Sequence, residues 1–238
     1  MFDRWTRFAL LSRAAGFLLA MPSAIGGIWA DGRFAGAGSG TIDDVGYLLA
    51  VVEDVRRRGP VDPRRIYVVG MSNGATMAGR LACEHSDRFA AIAQVAGTVG
   101  SDVAARCRPA GALPVLSIHG TADRYAPYAG GRARGPFARL VLRRPADGSL
   151  GVEAWARLWV AVNGATGPEV SRLGADTSIR RWHGPTPASD VVFYRLEGGG
   201  HTWPGNPGWV APFLGRTSRT FDATRHIWAF LSSHRREA

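Results

Sequence analysis

Gly70-Met71-Ser72-Asn73-Gly74 fits the pattern G-x-S-x-G. What the pentapeptide can do depends on its flanks. Arg65 to Val69 is a short β-branched run that predicts a buried parallel strand, and Asn73 to about Glu84 predicts a helix. A sharp turn between the two projects the Ser72 hydroxyl above the sheet, next to the free N–H groups and positive end of the helix. Gly70 and Gly74 keep Cβ atoms out of that crowded turn. In this setting Ser72 is a candidate nucleophile, and the backbone N–H of Asn73 is a candidate donor to an oxyanion.

A serine hydroxyl attacks only when a base takes its proton. The pattern places an acid and then a histidine later in the chain. His201 stands in Glu197-Gly198-Gly199-Gly200-His201-Thr202-Trp203-Pro204-Gly205, a glycine-rich loop directly after a predicted strand. The glycines suggest close backbone approach at a site. Of the other histidines, His85 ends a helix, His226 and His234 lie on the terminal helix, and His183 sits in a loop. Asp123, in His119-Gly120-Thr121-Ala122-Asp123, follows the predicted strand Val115 to Ile118. Such loops are where parallel sheets place their sites. A carboxylate there can accept the imidazole Nδ1–H, fix its tautomer and stabilise the imidazolium. His119 reads as structural, because no second ligand stands at zinc-like spacing. Trp203 either walls a substrate pocket or packs in the core. Trp29 and Asp31 are weaker candidates for the site rim.

The elements that must position these residues alternate between strand and helix, which predicts an α/β fold with a mostly parallel sheet covered by helices. Thr41-Ile42-Asp43-Asp44 resembles a capping box opening a helix to about Arg58. Phe89 to Val95, Pro114 to His119 and Asp190 to Leu196 predict strands, and Glu153 to Val162 and Asp222 to His234 predict helices. The stretches 130–147 and 203–220, rich in Gly, Pro and Arg, read as surface loops or a lid. With 238 residues, one domain spanning 1–238 is expected. The chain starts with an apolar segment that resembles a secretory leader, but Arg13 interrupts it. The alternative adopted is a helix over Trp5 to Ala15, a turn at Gly16 and a buried strand Phe17 to Met21. No stretch reaches the length needed to span a bilayer.

The net charge is +10, and all 29 basic residues are arginine. They are scattered, and the longest run, Arg56-Arg57-Arg58, falls at a predicted helix C-terminus, so composition rather than a nucleic-acid face explains the charge. Cys83 and Cys107 are too few for a disulfide scaffold; they are either buried free thiols or one disulfide.

Taken together, Val61-Asp62-Pro63-Arg64-Arg65-Ile66-Tyr67-Val68 before Gly-Met-Ser-Asn-Gly, Leu81-Ala82-Cys83-Glu84-His85, Phe89-Ala90-Ala91-Ile92-Ala93, the His119–Asp123 segment and Gly199-Gly200-His201-Thr202-Trp203-Pro204-Gly205 resemble the polyhydroxybutyrate depolymerase-like and feruloyl-esterase-like serine esterases of the α/β-hydrolase fold. The resemblance implies Ser72, Asp123 and His201 as a catalytic triad, an ester substrate, and export to the extracellular space or periplasm. The triad chemistry needs no cofactor and no metal, and the composition leads to no expected nucleic-acid or membrane partner. The resemblance also implies strands and a His-Gly loop ahead of Trp5, the loop lending a second oxyanion N–H. The chain is therefore expected to lack the first strands of the sheet, as an N-terminally truncated reading of a longer gene would. Ala165 stands where relatives often carry Cys.

Overall fold

The computed structural model describes residues 2–33, 42–133, 148–206, 208 and 210–236. Two short helices, α1 (Phe2–Thr6) and α2 (Phe8–Ala15), open the chain and are followed by α3 (Asp44–Arg58). Next come β1 (Tyr67–Met71), α4 (Asn73–His85), β2 (Ala91–Val95), α5 (Ser101–Ala105) and β3 (Val115–Gly120). Then follow α6 (Val152–Val162), β4 (Thr166–Leu173), β5 (Thr177–His183), β6 (Val191–Leu196) and α7 (Ala223–Ser232).

The strands form one sheet in the order β1-β2-β3-β6-β5-β4. The first four neighbours run parallel, and β6, β5 and β4 form an antiparallel meander. β2 and β3 are buried along their whole length, as strands covered on both faces must be. Successive side chains point to opposite faces. Ala91, Ala93 and Val95 accordingly join a core with Phe8 of α2 and Ile227 and Leu231 of α7. Ile92 between them joins the other core, with Val45 of α3, Met77 and Leu81 of α4, and Trp155 and Trp159 of α6.

The expected buried strand at 17–21 does not form. Leu18, Leu19 and Met21 are exposed and pair with no strand, and Phe17 stacks on Trp228 at 3.9 Å. Among the described residues, β1 has a ladder partner on one side only, and the segment does not pair with its open edge. The single helix expected over Trp5 to Ala15 is broken at Arg7, which takes a left-handed conformation. The β4–β5 hairpin was not expected. Seven of the eight residues of β4 are exposed, so it carries no apolar alternation to read. Thr41 and residues 134–147 lie outside the described residues; Asp43 caps α3 by accepting the Gly46 N–H at 2.8 Å. The run Arg56-Arg57-Arg58 does end that helix, paired with Glu53 and Asp54 one turn back.

Of the two alternatives for the cysteines, the disulfide is the one that forms. Cys83 near the end of α4 and Cys107 after α5 are joined with Cα atoms 4.7 Å apart. No helix among the described residues is long and apolar enough to cross a membrane.

Candidate active site

Ser72 connects β1 to α4 with φ 56° and ψ −121°, a conformation that L-residues seldom adopt. The turn is tight at Gly70, where a Cβ would fall 2.1 Å from the Gly74 carbonyl oxygen, and at Gly97, where one would fall 2.7 Å from that of Ser72. Gly74, expected to be crowded, is not, since a Cβ there would meet only Trp29 Nε1 at 3.9 Å. The Ser72 N–H donates to Val95 O at 2.9 Å, which ties the turn to the end of β2.

The His201 imidazole meets this hydroxyl, with Nε2 2.8 Å from Ser72 Oγ. Its Nδ1 stands 2.8 Å from Asp123 Oδ2. Asp123 is buried, and its other oxygen accepts the backbone N–H groups of Tyr125 and Ala126, both at 2.8 Å. The structure thus draws the three residues proposed from sequence into one hydrogen-bonded line, although 78 residues separate Asp123 from His201 and 129 separate His201 from Ser72.

The loop of His201 is supported from residues that the sequence did not single out. Its N–H donates to Leu214 O at 2.7 Å, and the Gly200 N–H donates to Arg216 O at 2.8 Å. Arg216, Ser218 and Thr220 in turn converge on Asp176, in the turn between β4 and β5. Burial works to raise the Asp176 carboxyl, but hydrogen bonds from Thr220, Arg216, Thr177 and Ser218 outweigh it and hold the group at about 2. No motif marks Asp176 beforehand. Tyr125 lies with its ring 5.3 Å from the His201 ring.

His119 is buried beneath the line. Its Nε2 lies 2.8 Å from Ala126 O and 3.6 Å from Asp123 Oδ2. Burial pushes the imidazole below its ordinary value, against the pull of the Asp123 charge, so it is a neutral support for the Asp123 loop.

Of the two roles open to Trp203, its placement fits packing. The ring is 1% exposed, meets Phe8 edge-on, and donates Nε1–H to Thr224 at 3.0 Å. With almost no free surface, it presents no wall to a substrate. Trp29 and Asp31 do stand beside the elbow, but as partners of the Asn73 side chain.

The sheet, the elbow and the loops after β3 and β6 define the class: the chain has the α/β-hydrolase fold. Residues 2–105 match the profile of the prolyl oligopeptidase family, Peptidase_S9. The acetyl xylan esterase from Aspergillus awamori shares the fold with a TM-score of 0.50 and 17% identity, over 83% of this chain and 77% of that one. NocK of Nocardia uniformis subsp. tsuyamanensis, a protein named as an esterase, is 35% identical over 169 residues, which is 68% of this chain and 49% of NocK. Feruloyl esterase B of Piromyces equi is 28% identical over 170 residues, 70% of this chain and 30% of that enzyme. The chain spans half or less of the length of these curated relatives.

Proposed function

We propose that this chain is a carboxylic ester hydrolase that works through an acyl-enzyme. The hydrogen-bonded line from Ser72 through His201 to Asp123 carries the proposal. Similarity to proteins named as esterases supports it.

In this reading, His201 Nε2 takes the Ser72 proton as Oγ attacks the ester carbonyl. Asp123 keeps the Nδ1 proton in place and stabilises the imidazolium that forms. The negative charge on the carbonyl oxygen faces the backbone N–H of Asn73 at the N-terminus of α4. His201 then protonates the departing alcohol, and later activates the water that releases the acid. The substrate class proposed is a polyester of the polyhydroxyalkanoate kind, or an aryl or short-chain acyl ester. The Cys83–Cys107 disulfide supports an extracellular or periplasmic site of action.

Turnover of p-nitrophenyl acetate tests the proposal. Wild-type hydrolysis that disappears in Ser72→Ala is the expected result. A folded, monodisperse wild type with no turnover overturns it and leaves a hydrolase-fold protein that binds without catalysis. Running the p-nitroanilide of a short peptide alongside asks whether the match to a peptidase family extends to amide cleavage.

A further inference from the structure

The segment before α3 grips the elbow from outside the Ser72–His201–Asp123 line. Asn73 is the first residue of α4, and its side-chain amide is held at both ends. Oδ1 accepts the Trp29 N–H at 2.7 Å, while Nδ2 donates to Trp29 O at 3.1 Å and to Asp31 Oδ2 at 2.5 Å. Asp31 is fully buried. Arg33 pins it, donating from Nε and Nη2 to Oδ2 at 3.0 and 2.6 Å and from its backbone N–H to Oδ1 at 3.0 Å. The segment is itself anchored: the Ala30 N–H donates to Asp44 at 2.7 Å, and Arg80 donates to Ala30 O at 2.6 Å.

The peptide joining Ser72 to Asn73 is the one an oxyanion would meet. Its carbonyl accepts the Thr76 N–H at 3.0 Å and so points along the helix. In a trans peptide the N–H points the opposite way, so the Asn73 N–H is aimed out of the helix N-terminus. A first-turn N–H has no partner inside the helix to steady it. Its direction rests on the sparsely populated backbone angles of Ser72 and on where the Asn73 Cα is held. Such a backbone persists only when its surroundings over-determine it. The amide clamp supplies that constraint, and Arg33 offsets a carboxylate charge that would otherwise oppose an oxyanion nearby.

We infer that Asp31, acting through the Asn73 side chain, is a positioning residue for the N–H that receives the oxyanion. The inference rests on the ester-hydrolase reading above.

A double-mutant cycle tests it, with kcat and KM for p-nitrophenyl acetate measured on wild type, Asp31→Asn, Asn73→Ala and the double variant. Asn73→Ala keeps the backbone N–H and removes only the clamp. Each single change is expected to lower kcat between about 10-fold and 100-fold, because a small misplacement of a preorganised donor is costly in rate. KM should stay within about twofold, since the donor acts on charge that develops in the transition state. The double variant should be no worse than the poorer single one. Binding of a trifluoromethyl ketone analogue should weaken in step with kcat. Losses that multiply, a raised KM with kcat intact, or unchanged kcat in Asn73→Ala overturn the inference. If Asp31→Asn does not fold, Asn73→Ala alone decides by the same kcat criterion. Absence of Ser72-dependent turnover in the wild type is a separate outcome: it overturns the parent reading and the inference with it.

Discussion

Gly120 and Gly199 touch backbone to backbone: a Cβ on Gly120 would lie 2.2 Å from the Gly199 carbonyl oxygen. This contact sets the acid loop after β3 against the histidine loop after β6, and the Ala122 N–H bonds Gly199 O at 2.9 Å across it. Gly120→Ala must push the loops apart at a place where both sides are main chain. The expected cost is about 1–3 kcal/mol in stability. Activity should fall further than stability explains, because Asp123 and His201 separate. Equal activity per folded molecule, measured with thermal unfolding on the same samples, contradicts this.

Asp123→Asn keeps the size of the side chain but removes the charge that faces His201 Nδ1. An amide placed there favours the wrong imidazole tautomer and cannot stabilise the imidazolium. The expected fall in kcat is about 10³–10⁴-fold with little change in KM. Steady-state kinetics on a p-nitrophenyl ester checks it, and a loss under tenfold speaks against the role.

The Cys83–Cys107 bond closes a loop with a sequence separation of 24. The chain-entropy relation gives about 3 kcal/mol of stabilisation for such a loop. Urea unfolding with and without reductant should show a difference of that size in unfolding free energy, and the Cys83→Ala/Cys107→Ala protein should match the reduced wild type.

Asp176 makes stability depend on acid in a defined direction. Its folded carboxyl sits at about 2 against 3.8 for the reference group. Above pH 3.8 it is ionised in both states, and the stabilisation is fully present. As the pH falls the unfolded chain takes up the proton first, and the stabilisation drains away by about pH 2. Asp176→Asn should lose on the order of 1 kcal/mol near neutral pH, discounted for solvent screening. The two proteins should converge near pH 2. Chemical unfolding at a series of pH values checks the sign: a gap that widens in acid contradicts the assignment.

Trp203→Phe separates core from pocket. Phenylalanine keeps an aromatic ring facing Phe8 but gives up the bond to Thr224. Stability should fall by about 1–2 kcal/mol. KM for aryl and acyl esters should stay within about twofold. A large rise in KM without loss of stability would restore the pocket role.

The sequence by itself carried the elbow, because the strand, the serine turn with Gly70 at its tightest point and the helix are consecutive in the chain, although Gly74 proved to need no special room. It also carried the order in which Ser72, Asp123 and His201 occur, and the buried strands β2 and β3, whose apolar runs need no partner to be read. The N-terminal strand did not form: Phe17 to Met21 has the composition of a strand, but Leu18, Leu19 and Met21 are exposed and the segment joins no ladder among the described residues. The β4–β5 hairpin was hidden for the opposite reason, an exposed strand stabilised by its ladder and not by burial. Only the tertiary structure decided that Trp203 points into the core, that Cys83 reaches Cys107, that Asp176 braces the loop of His201, and that Asp31 holds Asn73. Each of these is a contact between residues distant in the chain. Residue type and spacing constrain the backbone over one or two turns, whereas contacts across dozens of residues depend on how the sheet and helices pack.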